Sequence, residues 1–137
     1  MRTKRGQLST EYLILVGFIS FLVISILGFS LFYTSSVQDS LRFSNIAQFS
    51  NKVLTSAESV FYAGEPSRTP ITAYLPSGVT SLDVLDNELV FYLETSSGPA
   101  VVSYRSNVPL QGSISHREGV KRLTLEAKQT FVLISEG

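Results

Sequence analysis

The sequence predicts an α+β chain. One long N-terminal helix, transmembrane in its first part and amphipathic in its second, packs on a small antiparallel β-sheet head. Three observations carry this. From Leu13 to Tyr33 the chain is apolar apart from Gly17, Ser20, Ser25, Gly28 and Ser30, and no charged side chain lies between Glu11 and Asp39. Beyond Thr34, apolar residues recur at a near-helical period. After Pro76 the pattern changes to period two, broken by turn residues.

The first segment is long enough to span, since roughly 20 apolar residues cross ~30 Å of hydrocarbon as a helix. A secretory signal peptide would carry a shorter apolar core of about 7–15 residues with a small-residue cleavage site behind it, and TSSVQDS offers none. Arg2, Lys4 and Arg5 precede the segment, which places the N-terminus in the cytoplasm and the rest of the chain outside. On residue types alone this is a single-pass signal anchor.

The order of the residues before the anchor says more. Lys4-Arg5-Gly6-Gln7-Leu8-Ser9-Thr10-Glu11-Tyr12 resembles the class III signal peptide of archaeal type IV pilins. That family has a basic leader ending in glycine, followed by a Gln-x-Ser-x-Glu-Tyr motif that runs into the hydrophobic helix. Gln7, Ser9, Glu11 and Tyr12 match the motif. The resemblance implies that a membrane-embedded aspartate prepilin peptidase cuts between Gly6 and Gln7 while the hydrophobic helix stays on the mature subunit. Residues 1–6 are then a discarded leader. A glycine before the cut suits an extended, unbranched approach to a protease cleft, and Lys4 and Arg5 hold the bond near the cytoplasmic headgroups. A carboxylate beside a membrane needs a partner. The resemblance implies that Glu11 finds it in the new α-amino group of Gln7 on an adjacent copy, although a carboxylate near a helix N-terminus is favourable by itself.

Residues 7–33 form the anchor and assembly helix. Gly17, Ser20 and Gly28 fall on roughly one side of it, and small residues let helix backbones approach in an apolar medium. Residues 34–63 form the amphipathic part, with Val37, Leu41, Ile46, Phe49, Val53, Ala57, Val60 and Phe61 on the face that needs cover. Gly64 and Pro66 end it. Residues 64–78, with three prolines, read as a connector. Residues 79–137 read as the β head. Its strands are Val79–Leu85, Glu88–Thr95, Ala100–Arg105, a short edge strand within Gln111–Ser115, Val120–Lys128 and Phe131–Ser135, with turns at Asp86-Asn87 and Ser96-Ser97-Gly98-Pro99. The amphipathic half of the helix covers one face of this sheet. This layout is similar to that of type IV pilins.

Composition excludes several functions. Net charge is zero and no basic patch suggests nucleic acid. There is no cysteine for a disulfide or a thiolate metal site, and the one histidine, His116, sits in a turn-like stretch without a carboxylate partner. Asp83, Asp86 and Glu88 cluster near a turn; calcium is one reading, solvated acids the simpler one. No phosphate-binding loop or nucleophile elbow occurs. The sequence therefore predicts neither catalysis, metal nor cofactor. The partners that the resemblance implies are copies of the chain or related pilins, the prepilin peptidase, a pilus assembly ATPase with its membrane platform protein, and lipid before assembly. The expected locations are the cytoplasmic membrane before assembly and an extracellular surface filament after it, with adhesion as the task. The alternatives are a minor pilin that primes or caps a filament and a monomeric anchored binding domain.

Overall fold

No proline occurs before Pro66, so nothing in the first part of the chain forbids a long helix. In the computed structural model, which describes residues 4–137 and their side chains from residue 9 on, α1 runs from Lys4 to Ala63. It passes without a break through Thr34-Ser35-Ser36, where the Thr34 and Ser35 hydroxyls donate back to the carbonyls of Ser30 and Leu31 at 2.9 and 3.4 Å. The helix ends at Gly64, whose φ of 77° suits glycine and whose N–H donates to the Phe61 carbonyl. Contacts divide the chain into two units, one up to Gln38 and the other Asp39–Gly137.

The second unit is built on the helical stretch 39–63. Its buried side chains are Ile46, Phe49, Ser50, Val53, Leu54, Ala57 and Val60, spaced as one face of a helix. The face begins with Asp39, Arg42 and the half-buried Phe43. Val37 and Leu41, expected on it, are exposed. The seam at that end is occupied by polar Asp39 and Arg42, so reading apolar types alone picks the neighbours to the side.

Seven strands follow: β1 Arg68–Leu75, β2 Val79–Leu85, β3 Glu88–Thr95, β4 Gly98–Arg105, β5 Leu110–Gly112, β6 Gly119–Ala127 and β7 Val132–Glu136. They form two sheets rather than the single antiparallel sheet expected. One is the antiparallel meander β2-β3-β4; the other has the order β1-β6-β7-β5, with β5 parallel to β7. The stretch read as a connector, 64–78, holds β1, paired along its length with β6 from Arg68↔Glu126 to Leu75↔Gly119. Pro70 does not prevent this because β1 is an edge strand, where a missing N–H costs no ladder bond. The short strand expected in 111–115 is Leu110–Gly112.

The inner faces of both sheets share one core with the helix. Leu89, Phe91 and Leu93 come from β3, Leu123, Leu125 and Ala127 from β6, and Val132 and Ile134 from β7. Phe91 stands edge-on to Phe49 of the helix at 6.1 Å and to Tyr104 of β4 at 6.0 Å, an arrangement aromatic rings favour.

Polar contacts fasten the ends. The Asp39 carboxylate accepts from the Ser96 backbone N–H at 3.0 Å and from its hydroxyl, which ties the helix to the β3–β4 turn. Those Ser96 bonds, with Arg42 at 3.3 Å, hold the Asp39 carboxyl below its ordinary range. At the other end, Lys121 is buried on the inner face of β6. Its ammonium donates to Glu136 at 3.0 Å and to the Ser115 hydroxyl, while the Ser115 N–H donates to Glu136 at 2.7 Å. Burial opposes ionisation of Glu136, but the bonds from Ser115 and Lys121 outweigh it and keep its carboxyl below the usual range.

Two outcomes follow from this geometry. Both carboxyls are depressed, so their stabilisation is complete above the ordinary carboxyl pKa of about 4 and is lost as pH falls through the lowered values. Thermal unfolding followed by circular dichroism should therefore show a midpoint that drops on acidification below about pH 4, and Asp39→Asn should flatten that dependence. Gly112 has φ 128°, and a Cβ there would overlap the Ile134 carbonyl oxygen of β7. Gly112→Ala should cost roughly 2–3 kcal/mol in urea unfolding, and a cost under about 0.5 kcal/mol would contradict the parallel β5–β7 pairing.

Candidate functional site

The first unit has a different chemistry. Side chains from Tyr12 to Tyr33 are apolar and exposed in almost every direction around the helix, with Tyr12 69% and Phe32 85% accessible. Hydroxyls here are muted by local bonding: Ser25 donates to the Phe21 carbonyl at 2.8 Å, and between two and three turns on Thr34 and Ser35 donate in the same way to the Ser30 and Leu31 carbonyls. The helix is long and apolar enough to cross a membrane, and none of its apolar window is buried inside the chain. A core helix of a water-soluble fold would hide those side chains; this one hides none.

Gly17 and Gly28 give a second indication. A Cβ on either would meet nothing within 4 Å. Glycine inside a helix costs about 1 kcal/mol relative to alanine, and no contact within the chain requires it here. Gly17 and Gly28 lie eleven positions apart, close to three turns, and Ser20 one turn from Gly17 lies on nearly the same side. The side they mark is open.

Glu11 and Tyr12 are exposed on the first described turns of side chains, next to Ser9. The side chains of Lys4, Arg5 and Gln7 lie outside the described residues, as does the leader from Met1 to Thr3. The backbone at Gly6 and Gln7 is helical, which departs from the extended approach expected of a cleavage site.

No known protein-family model, curated protein or solved structure matches this chain. The site therefore stands on the chemistry of its own residues. Asp83, Asp86 and Glu88 do not converge: among the described residues no three histidine, cysteine or acidic side chains come together as a metal would need. His116 is exposed in the loop before β6. The Asp86-Asn87 turn has a structural task instead, its carbonyls accepting from Leu110 and Ser106 at 2.6 and 2.7 Å.

Two features escaped the sequence reading. Lys121 is buried in the core face although its type suggests solvent; its parity with Leu123 and Leu125 was the available signal. Ser50 is fully buried among Phe49, Val53 and Leu54 with no hydrogen-bond partner for its hydroxyl, and only its place on the helical face pointed there.

The exposed apolar side chains of the first unit predict that the two units differ in solubility. A fragment beginning at Asp39 should be monodisperse in buffer without detergent and keep the β-rich circular dichroism of the head, whereas the full chain should aggregate without detergent. A fragment that needs detergent would place an apolar surface on the head as well.

Proposed function

We propose that this chain is a structural subunit, a prepilin of the archaeal type IV kind, cut after Gly6 and polymerised through its N-terminal helix into an extracellular filament used for adhesion. The observation that carries the reading is the exposed apolar helix: its side chains find no cover in their own chain, and its glycine side is open where a second helix would lie. Lipid covers such a helix while the subunit is held in the membrane; copies of the same helix cover it in a fibre core. The motif Gln7-x-Ser9-x-Glu11-Tyr12 directly before this helix supports processing by a prepilin peptidase, and export would require an assembly ATPase and its membrane platform. Glu11 pairs with the freed amine of Gln7 on a neighbour, removing two charges that the apolar core would otherwise have to hold. The role asks no catalysis of the head, which lies outside the membrane and presents the outer surface.

Mass spectrometry of the protein from its native cells tests this. The mature N-terminus should be Gln7, and Glu11→Ala should still be cut at that bond while the yield of sheared surface fibres falls at least about tenfold, the scale set by stranding one partner of a buried ion pair. An N-terminus at Met1 in wild-type cells would overturn the reading in favour of a plain anchored domain, and normal fibres from Glu11→Ala would remove the pairing.

A further inference from the structure

Four strands border the two sheets: β1 and β5 in one, β2 and β4 in the other. An open edge is a template for another strand, and folded proteins blunt it with prolines, charges, bulges or shortness. Three of these edges are blunted. β1 carries Arg68 and, inside the strand, Pro70; β5 has three residues; β2 has a register shift between Val79 and Ser81 and a charge at Asp83. β4 is different. It pairs with β3 without a shift from Gly98 to Arg105, and its only charge is Arg105 at the end. Its core side carries Ala100, Val102 and Tyr104, only half-buried, and on its outer face Val101 is 61% exposed beside Pro99 and Ser103.

The direction of its backbone groups can be derived. In an antiparallel pair, alternate residues exchange bonds with the neighbour and the rest face away. The two-residue turn Ser96-Ser97 makes Thr95 and Gly98 a bonded pair, and the Ser106 N–H bonded to the Asn87 carbonyl continues the same alternation past the far end. Gly98, Ala100, Val102 and Tyr104 therefore turn their backbone toward β3. Pro99, Val101, Ser103 and Arg105 turn theirs to the free edge.

We propose that the β4 edge pairs antiparallel with β4 of a second copy of this chain, about a two-fold axis at Val102, joining two three-stranded sheets into one of six strands. In this register Val101 lies opposite Ser103 of the second copy, so outward N–H and C=O groups meet on both strands. Pro99, which has no N–H, needs only to accept, and it lies opposite Arg105, whose N–H donates. Bulky Tyr104 faces small Ala100. The charges also fit. Arg105 never opposes its own copy; it comes onto the face of the second copy's Glu94, which pairs with Pro99 in its own sheet. Two strand spacings, about 10 Å between backbones, are within the combined reach of an arginine and a glutamate side chain. An isologous contact closes on itself, so it joins two subunits or two fibres laterally and does not lengthen a fibre. It does not depend on the assembly role of the helix.

The absence of cysteine makes a direct test available. Val102 faces its own copy in a non-bonded pair, where Cα atoms approach to about 4.5 Å, inside the range a disulfide spans. Full-length Val102→Cys in detergent micelles, mildly oxidised, should form a linked dimer at least about tenfold faster than full-length Val101→Cys, whose side chain points to the other face and opposes Ser103. Equal rates, or no dimer from Val102→Cys, would overturn the pairing. Should that variant not fold, amide exchange on the unsubstituted chain decides: the Val101 and Ser103 N–H groups should exchange freely when dilute and become protected as concentration rises. Free exchange at every concentration would overturn it.

Discussion

One helix face makes the head a single body: the buried side chains from Ile46 to Val60 share a core with both sheets, with the rings of Phe49 and Phe91 of β3 set perpendicular at its centre. Neither sheet could stand alone. The meander β2-β3-β4 has three strands and one apolar face, and β1-β6-β7-β5 likewise shows an apolar face on one side only. Small sheets of this kind need a cover to remove that face from water. The helical stretch 39–63 supplies it to both. Burying a phenylalanine contributes about 2–3 kcal/mol, and the pair sits where the helix, the central strand β3 and Tyr104 of β4 meet. The polar ties at Asp39 to Ser96 and at Asn107 to Glu58 (2.6 Å) then fix how the helix and the turns lie over this centre. Directional bonds set orientation; the apolar area supplies most of the free energy.

The same helix poses two problems of opposite kind. From Ile46 to Val60 its apolar residues occupy one face and their cover is encoded further along the chain. From Tyr12 to Tyr33 they occupy every face, and among the described residues no part of the chain answers them. A one-sided stripe can be buried by a neighbour in the same molecule. A cylinder cannot be, unless it is surrounded.

Most of this was legible from residue order. β2 and β3 have the bounds read from alternation and turns, because each runs between strong punctuation: Gly78, Asp86-Asn87 and Ser96-Ser97. β1 was hidden by proline, which argues against a central strand and says nothing against an edge. The parallel pairing of β5 with β7 was hidden because three residues leave no period to read, and because partner choice is a tertiary decision. Lys121 was hidden by its charge, since parity placed it inward and type placed it outward; the acceptors that reconcile the two, Glu136 in β7 and Ser115 in the loop before β6, are brought to it only by the fold. The small residues of the anchor were legible as a pattern, but that Gly17 and Gly28 have open space beside them is visible only in three dimensions.

The position of β7 carries a consequence for how the head comes into being. The last strand of the chain lies inside its sheet, between β6 and β5, and β1 waits for β6, more than forty residues downstream. The meander, by contrast, closes through tight local turns and is available as soon as Arg105 has emerged. Synthesis therefore delivers the head in two instalments. Until β6 and β7 emerge, the meander stands beside a β1 and a β5 that have no partner strand, so the larger sheet closes after the smaller one.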